Sequence, residues 1–178
     1  TAFNDTIVGN DLDNVLDGGV DGSDQIFGGL GSDTVSYATS SRAVLINLAG
    51  QVTADGINTD ALSSIENAVG SRLSDTVLGS ATGNVLDGGA GADLLTGSGG
   101  DDSFVFRRGQ ANGDTVTDFA GNGAGAGDVL QFVGYGPGAT FVQIDGTHWQ
   151  INSGDGFTHE TITLQNAAAV HQSDVLFL

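Results

Sequence analysis

Aspartate recurs beside glycine at a fixed interval in this chain. GGLGSDTVS (28–36) and GGAGADLLT (88–96) each set one carboxylate at the sixth position of a nine-residue unit that opens on two glycines. A single GGxGxD hexapeptide could be a loose turn, because glycine reaches positive φ and aspartate bonds its own backbone. Repetition changes the chemistry on offer. Glycines leave backbone carbonyls uncovered, and carbonyl and carboxylate oxygens together suit a hard cation of the calcium kind. Such an ion takes six to eight oxygens, more than one turn can offer, so two stacked turns must share it.

Laid out in nines, the sequence falls into two blocks in register. The first contains an incomplete unit ending FNDTIV, then GNDLDNVLD from Gly9, GGVDGSDQIF from Gly18 with one extra residue near Val20 and Asp21, and GGLGSDTVS from Gly28. The second contains GSRLSDTVL from Gly70, GSATGNVLD from Gly79, GGAGADLLT from Gly88 and GSGGDDSFV from Gly97. The sixth column reads Asp5, Asn14, Asp24, Asp33 and then Asp75, Asn84, Asp93, Asp102; the eighth is apolar throughout (Ile7, Leu16, Ile26, Val35, Val77, Leu86, Leu95, Phe104). Both blocks carry asparagine in their second unit, which points to internal duplication. Each unit reads as a turn followed by a very short strand, and successive units coil into a solenoid with the eighth column inward.

Composition agrees with a cation as partner. The 178 residues include 22 acids against four arginines and no lysine, a net charge of −18 that disfavours nucleic acid and anionic membrane surfaces. Cysteine is absent, so neither a disulfide framework nor a thiolate metal site is available. No apolar run has the length of a membrane span, and the start TAFNDTIVG has neither Met nor a signal pattern. The chain reads as a segment of something longer. A metal-free solenoid held by turn hydrogen bonds is the competing reading; against it, stacked carboxylates repel by about 1 to 4 kcal/mol per close pair.

The nonapeptides resemble the RTX (repeats in toxin, haemolysin-type calcium-binding) family. The segment 37–71 is similar to what precedes the repeats in serralysin-type proteases, and 102–132 to the segment by which such modules leave the roll. The resemblance implies an all-β fold: a calcium-binding parallel β-roll with an antiparallel β cap at the C-terminus. It implies a first repeat block over 1–36, a bridging β segment over 37–69, a second block over 70–106 and the cap over 107–178. It also implies ions between turns two units apart, pairing Asp5 with Asp24, Asn14 with Asp33, Asp75 with Asp93 and Asn84 with Asp102. Carbonyls would come from Gly29, Gly31, Gly89, Gly91 and Gly100, with about four calcium ions in all. Asn14 and Asn84 offer neutral oxygens and predict weaker sites, for which Asp11, Asp13, Asp17 and Asp87 lie near; Arg72 and Leu73 are bulky for a turn.

Beyond the roll, strands are expected over 113–119, 128–134, 139–145, 148–153 and 160–166, with Asp145-Gly146 as a hairpin turn. Trp149 and Tyr135 could offer a sugar-stacking surface, although packing within the cap accounts for them as well. Catalysis finds little support. HETIT (159–163) has Thr163 where a zinc-protease motif needs its second histidine and lies in a strand pattern. His148, His159 and His171 share no metal-binding spacing, GNGAGAG (121–127) connects two strands, and Arg107 and Arg108 read as solvated charges. The expected function is a noncatalytic calcium-binding module of a larger secreted bacterial protein, extracellular or on the cell surface. The resemblance implies passage through a type I secretion apparatus and folding on calcium outside the cell; HQSDVLFL (171–178) resembles an export signal and also reads as a last strand. The alternative is a calcium-stabilised module for polysaccharide binding, adhesion or surface-layer self-association.

Overall fold

The computed structural model describes every residue except 1, 2, 20, 124 and 167, so the extra residue Val20 lies outside it. In the first block the chain steps between two facing sheets. Strands β1 (Thr6–Val8) and β3 (Gln25–Phe27) lie in one sheet, β2 (Val15–Leu16) and β4 (Thr34–Ser36) in the other. The second block repeats the alternation with β9 (Thr76–Leu78) and β11 (Leu94–Thr96) against β10 (Val85–Asp87) and β12 (Ser103–Arg107). Strands two units apart pair in parallel, setting Ile7 beside Ile26, Leu16 beside Val35, Val77 beside Leu95 and Leu86 beside Phe104. This is the parallel β-roll that the repeats imply.

Strands this short have almost no local stability and depend on what their central residue buries. Ile26, Val35, Val77, Leu86, Leu95 and Phe104 are completely buried, each worth about 1.5–3 kcal/mol of hydrophobic stabilisation. Ile7 and Leu16, in the first turn of the roll, are only half-buried. Turns can stack this closely because of glycine. Gly31 and Gly91 have φ of 105° and 140°, and a Cβ on either would lie 2.8 and 2.6 Å from the Leu12 and Leu73 carbonyl carbons of the turn two units earlier. Arg72 and Leu73 themselves point outward from their turn.

The bridge keeps the solenoid continuous. Strands β5 (Leu45–Asn47), β6 (Val52–Ala54) and β7 (Thr59–Ser63) form an antiparallel meander within one sheet, with β7 in parallel on β3 and β5 in parallel on β9. In the other sheet β8 (Asn67–Val69) is paired on both sides, with β4 and β10. The C-terminal region extends the same plan. Strands β13 (Thr115–Val116), β14 (Val129–Val133) and β18 (Val175–Phe177) continue the two sheets in parallel. The antiparallel part is confined to β15 (Thr140–Gln143), β16 (His148–Asn152) and β17 (His159–Leu164), and β17 joins β13 in parallel. The 113–119 strand shrinks to two residues, while Asp145 accepts from the Thr147 and His148 amides in the expected hairpin turn. No helix among the described residues is long and apolar enough to cross a membrane.

Candidate metal centre

Every sixth-column residue lies two positions before the core residue of its strand, at the exit of a turn. The four expected pairs are adjacent in the roll. The backbone N–H of Asp5, Asn14, Asp75 and Asn84 donates to Oδ1 of Asp24, Asp33, Asp93 and Asp102, each at 2.8 Å. One carboxylate oxygen of the later partner is thereby committed to the neighbouring rung.

The other oxygen separates two kinds of turn. In the units that open at Gly9, Gly70 and Gly79, the sixth side chain caps its own turn: Asn14 Oδ1 accepts from Asn10 N–H, Asn84 Oδ1 from Ser80 N–H and Asp75 Oδ2 from Ser71 N–H. Asp75 Oδ1 also takes the Val44 N–H at 2.7 Å, so both its oxygens are satisfied by protein donors. In the other kind the second residue has positive φ: Gly19, Gly29, Gly89 and Ser98, at 107°, 113°, 88° and 75°. Its N–H is turned elsewhere in three of them: Gly19 and Gly89 donate to Asp17 and Asp87 of the preceding unit, and Ser98 to Asp118. The sixth-position Oδ2 then faces the first glycine of its own unit, Asp24 toward Gly18, Asp33 toward Gly28, Asp93 toward Gly88 and Asp102 toward Gly97, in a space that a Cβ would fill.

Two of these oxygens, Asp33 Oδ2 and Asp93 Oδ2, are buried without a hydrogen-bond partner. They belong to the two complete GGxGxD units. Leaving a buried carboxylate oxygen unsatisfied costs more than any net hydrogen bond returns, which makes each a position that calls for a cation. The Ser64 C=O shares the space at Gly28 with Asp33 Oδ2, while the Gly28, Gly88 and Gly97 carbonyls lie beside Gly9, Gly70 and Gly79, next to Asn14, Asp75 and Asn84. The expected donor glycines Gly29, Gly31, Gly89, Gly91 and Gly100 all have positive φ and pack on the turn two units earlier. No cluster of three His, Asp or Glu side chains fit to hold a metal occurs among the described residues.

Burial without counter-charge raises the carboxyl pKa values. Asp93 is pushed up to about 7, chiefly by burial and then by the charges of Asp75 and Asp87, despite the opposing hydrogen bond from Asp75 N–H. Asp102 rises to about 6, again through burial first, with Asp128, Asp118 and Asp101 adding like charge. Burial likewise raises Asp24 and Asp75.

Four acids outside the nonapeptides continue the ladders. Asp24 N–H donates to Asp60, Asp33 N–H to Glu66, Asp93 N–H to Asp114 and Asp102 N–H to Asp128, at 2.9 to 3.0 Å. Repeat counting misses them because the nine-residue period lapses there. The spacing of an acid two residues before a buried apolar residue persists in Asp60-Ala-Leu62, Glu66-Asn-Ala68, Asp114-Thr-Val116 and Asp128-Val-Leu130, and would have found them. Asp60 is also held by Tyr37 Oη at 2.6 Å, and Asp128 by Ala120 N–H at 2.8 Å. Asp114 is pushed up to about 7 by burial and the charges of Asp93 and Glu160.

The other sequence candidates resolve locally. Tyr135 is completely buried and donates to Glu160 at 2.7 Å, which removes it from any sugar-binding surface; Trp149 stacks on Phe141 with centroids 4.7 Å apart. His159 lies on β17, bonded to Asn152, while His148 and His171 face Asp145 and Asp174. Arg107 pairs with Asp87 at 2.6 Å and Arg108 with Asp155 at 2.7 Å.

No curated protein matches the chain. Among solved structures it resembles the extracellular lipase LipA from Serratia marcescens, at 17% identity and a TM-score of 0.46, with all of this chain aligned to 39% of the lipase. It also resembles the AlgE6R3 subunit from the Azotobacter vinelandii mannuronan C5-epimerase, at 25% identity and a TM-score of 0.35, covering 96% of this chain and 81% of that one. The chain thus spans well under half the length of the lipase. Residues 1–35 and 69–110 match the model of the RTX calcium-binding nonapeptide repeat, in four copies, and these are the two segments that carry the stacked turns and the paired acids. The two blocks are RTX calcium-binding repeats.

Proposed function

We propose that the chain is a noncatalytic, calcium-dependent folding module of a larger secreted protein. The observation that carries this reading is the pair of orphaned, buried oxygens, Asp33 Oδ2 and Asp93 Oδ2, in the two complete GGxGxD turns, the first with the Ser64 C=O beside it. Asp24, Asp33, Asp93 and Asp102 would be the principal carboxylate ligands. Asp5, Asn14, Asp75 and Asn84 would complete the pairing mainly by holding the neighbouring rung in place. Carbonyls of the glycine turns, those of Gly29, Gly31, Gly89, Gly91 and Gly100 included, would supply the rest of about four sites. Bound calcium supplies the positive charge that lets the buried carboxylates ionise together.

At submicromolar calcium inside a cell the ladders carry uncompensated charge and the chain stays expanded. Outside, near millimolar calcium, each site filled to a hundred times its Kd adds about 2.7 kcal/mol to the folded state. A chain unfolded within and folded without suits export through a type I apparatus. The division into a first block (1–36), bridge (37–69), second block (70–106) and C-terminal region (107–178) belongs to this proposal.

Circular dichroism tests it. A calcium-free chain should be largely unfolded and gain β signal on millimolar calcium; a native-like spectrum in chelator would overturn the reading. The alternative function is a calcium-stabilised module for polysaccharide binding, adhesion or surface-layer self-association.

A further inference from the structure

Two junctions in the molecule, each where an antiparallel meander joins the roll, are built alike: β7 lies in parallel on β3, and β17 on β13. The loop ahead of each joining strand opens on matching residues, Asp55-Gly56-Ile57 and Asp155-Gly156-Phe157, with φ of 84° and 77° at the glycines. Each loop leads to a buried acid, Asp60 or Glu160, that accepts N–H groups from the turn on which it stacks. Asp24 N–H donates to Asp60 at 2.9 Å, and the Gly109 and Ala111 amides donate to Glu160 at 2.9 Å. A buried tyrosine also donates to each acid, Tyr37 at 2.6 Å and Tyr135 at 2.7 Å, and the chain has no other tyrosine. An arginine reaches each loop aspartate. Arg42 Nη1 lies 3.0 Å from Asp55 and 2.8 Å from Asp21 of the stacked turn; Arg108, which leads into the other stacked turn, lies 2.7 Å from Asp155.

We propose that at these two junctions the protein's own groups do what a shared ion would do within the blocks: a tyrosine hydroxyl answers the buried acid and a guanidinium answers the loop aspartate, so each meander fastens to the roll without calcium. The inference rests on the calcium reading of the blocks and narrows it, because two junctions take no ion. An ion shared by stacked turns brings positive charge to oxygens of both. Arg42 does so with one nitrogen, set between an aspartate of the roll and one of the meander loop. Beside that pair lies a space of about 20 Å³ lined by Asp21, Asp24, Asp55, Asn58 and Asp60, the room of a single water. With Asp21 and Asp55 held by Arg42, their charge is already matched. Asp33 and Asp93 have no such groups, and there a buried oxygen lacks a hydrogen-bond partner. Burial first, then the facing carboxylate, raises both tyrosine pKa values, so both hydroxyls remain protonated donors. Exposed ion pairs contribute little stability by themselves. These arginines act as cations that cannot diffuse away.

Equilibrium dialysis counts the calcium held by the folded chain, and circular dichroism gives the calcium needed to fold it. Arg42→Gln should hold one ion more than wild type, taken up between Asp21 and Asp55, and should need about twofold more calcium to reach half of its β signal. At saturating calcium its β signal should equal that of wild type. Arg42→Lys keeps the positive charge and should keep the wild-type count. An ordinary surface ion pair predicts a loss of stability that calcium does not repair and an unchanged count in Arg42→Gln; that result overturns the proposal. The tyrosines of the unmutated chain supply a second measurement, one that needs no variant to fold, since both of them lie in these junctions. In the calcium-loaded chain tyrosinate absorbance should stay absent through the ordinary tyrosine pKa of about 10 and appear only as the β signal is lost. Ionisation near that pH in a chain that stays folded also overturns the proposal. A full β signal in chelator defeats the calcium reading instead, and the tyrosine measurement still reports whether the junctions are closed.

Discussion

Replacing Asp93 by asparagine should have opposite effects with and without calcium. In the folded, ion-free roll the Asp93 carboxyl is 2% exposed and its pKa rises from 3.8 to about 7. Moving one carboxyl that far costs the ionised folded state about 4 kcal/mol at neutral pH. The sign follows from proton binding. Between pH 3.8 and about 7 the folded chain holds the proton that the unfolded chain has lost. The contribution is therefore fully present below 3.8 and is lost as pH rises through 7. Asp93→Asn removes the charge, keeps an Oδ1 for the Asp75 N–H, and puts an amide NH₂ where Oδ2 was orphaned. An unpartnered NH₂ costs about 1–3 kcal/mol, so the ion-free roll still gains about 1–3 kcal/mol at pH 7.5. That Asn84 occupies the same column, its Oδ1 and Nδ2 bonded to Ser80 N–H and Glu66 C=O, shows that the fold accepts an amide there. The assay is the folded fraction by circular dichroism in calcium-free buffer from pH 8 down to 5, stopping above the sequence pI of about 4.1. Wild type should gain β signal on acidification. Asp93→Asn should show more at pH 7.5, a flatter pH profile, and a smaller gain from calcium. A pH-independent wild type, or a variant less folded than wild type without calcium, would refute the reasoning.

Isothermal titration should show Asp93→Ala weakening calcium binding far more than Asn84→Ala, because Asn84 Oδ1 caps its own turn; equal losses would contradict the division of turns. Magnesium at the same concentration should restore little β signal, since it demands tight octahedral geometry and sheds water reluctantly. Deleting Asp174 to Leu178 should keep the protein inside cells that carry a matching transporter, and unimpaired export would leave those residues only their structural part, β18 and the buried Asp174 just before it.

The sixth and eighth columns were legible because a solenoid converts sequence period directly into spatial neighbours: two units along the chain is one rung along a sheet. The same logic fails where the period breaks. Asp60, Glu66, Asp114 and Asp128 sit on the same ladders as the repeat acids, yet their units are stretched by a meander or by a long connection such as 121–127. The parallel pairing of β13 with β17 and of β14 with β18 was hidden too, since Asp145-Gly146 announces only the β15–β16 hairpin and the other pairings join residues more than forty positions apart.

Where the missed acids stand explains why the unsatisfied oxygens lie within the blocks. In each ladder a rung's N–H donates to the next rung's carboxylate, and the missed acids stand as the last rungs. Asp60 and Asp128 end theirs with the second oxygen already taken, by Tyr37 Oη and by Ala120 N–H. Burial and Asp60 together raise the Tyr37 pKa, so the hydroxyl stays protonated and continues to donate. The first rungs are closed as well, Asp75 by the Ser71 and Val44 amides and Asn84 by Ser80. The middle rungs Asp24, Asp33, Asp93 and Asp102 all lie in the positive-φ turns and are buried. Of these, Asp33 and Asp93, at 0% and 2% exposure, each keep one carboxylate oxygen without a hydrogen-bond partner. In the function proposed above, these two oxygens are the ones that calcium would take.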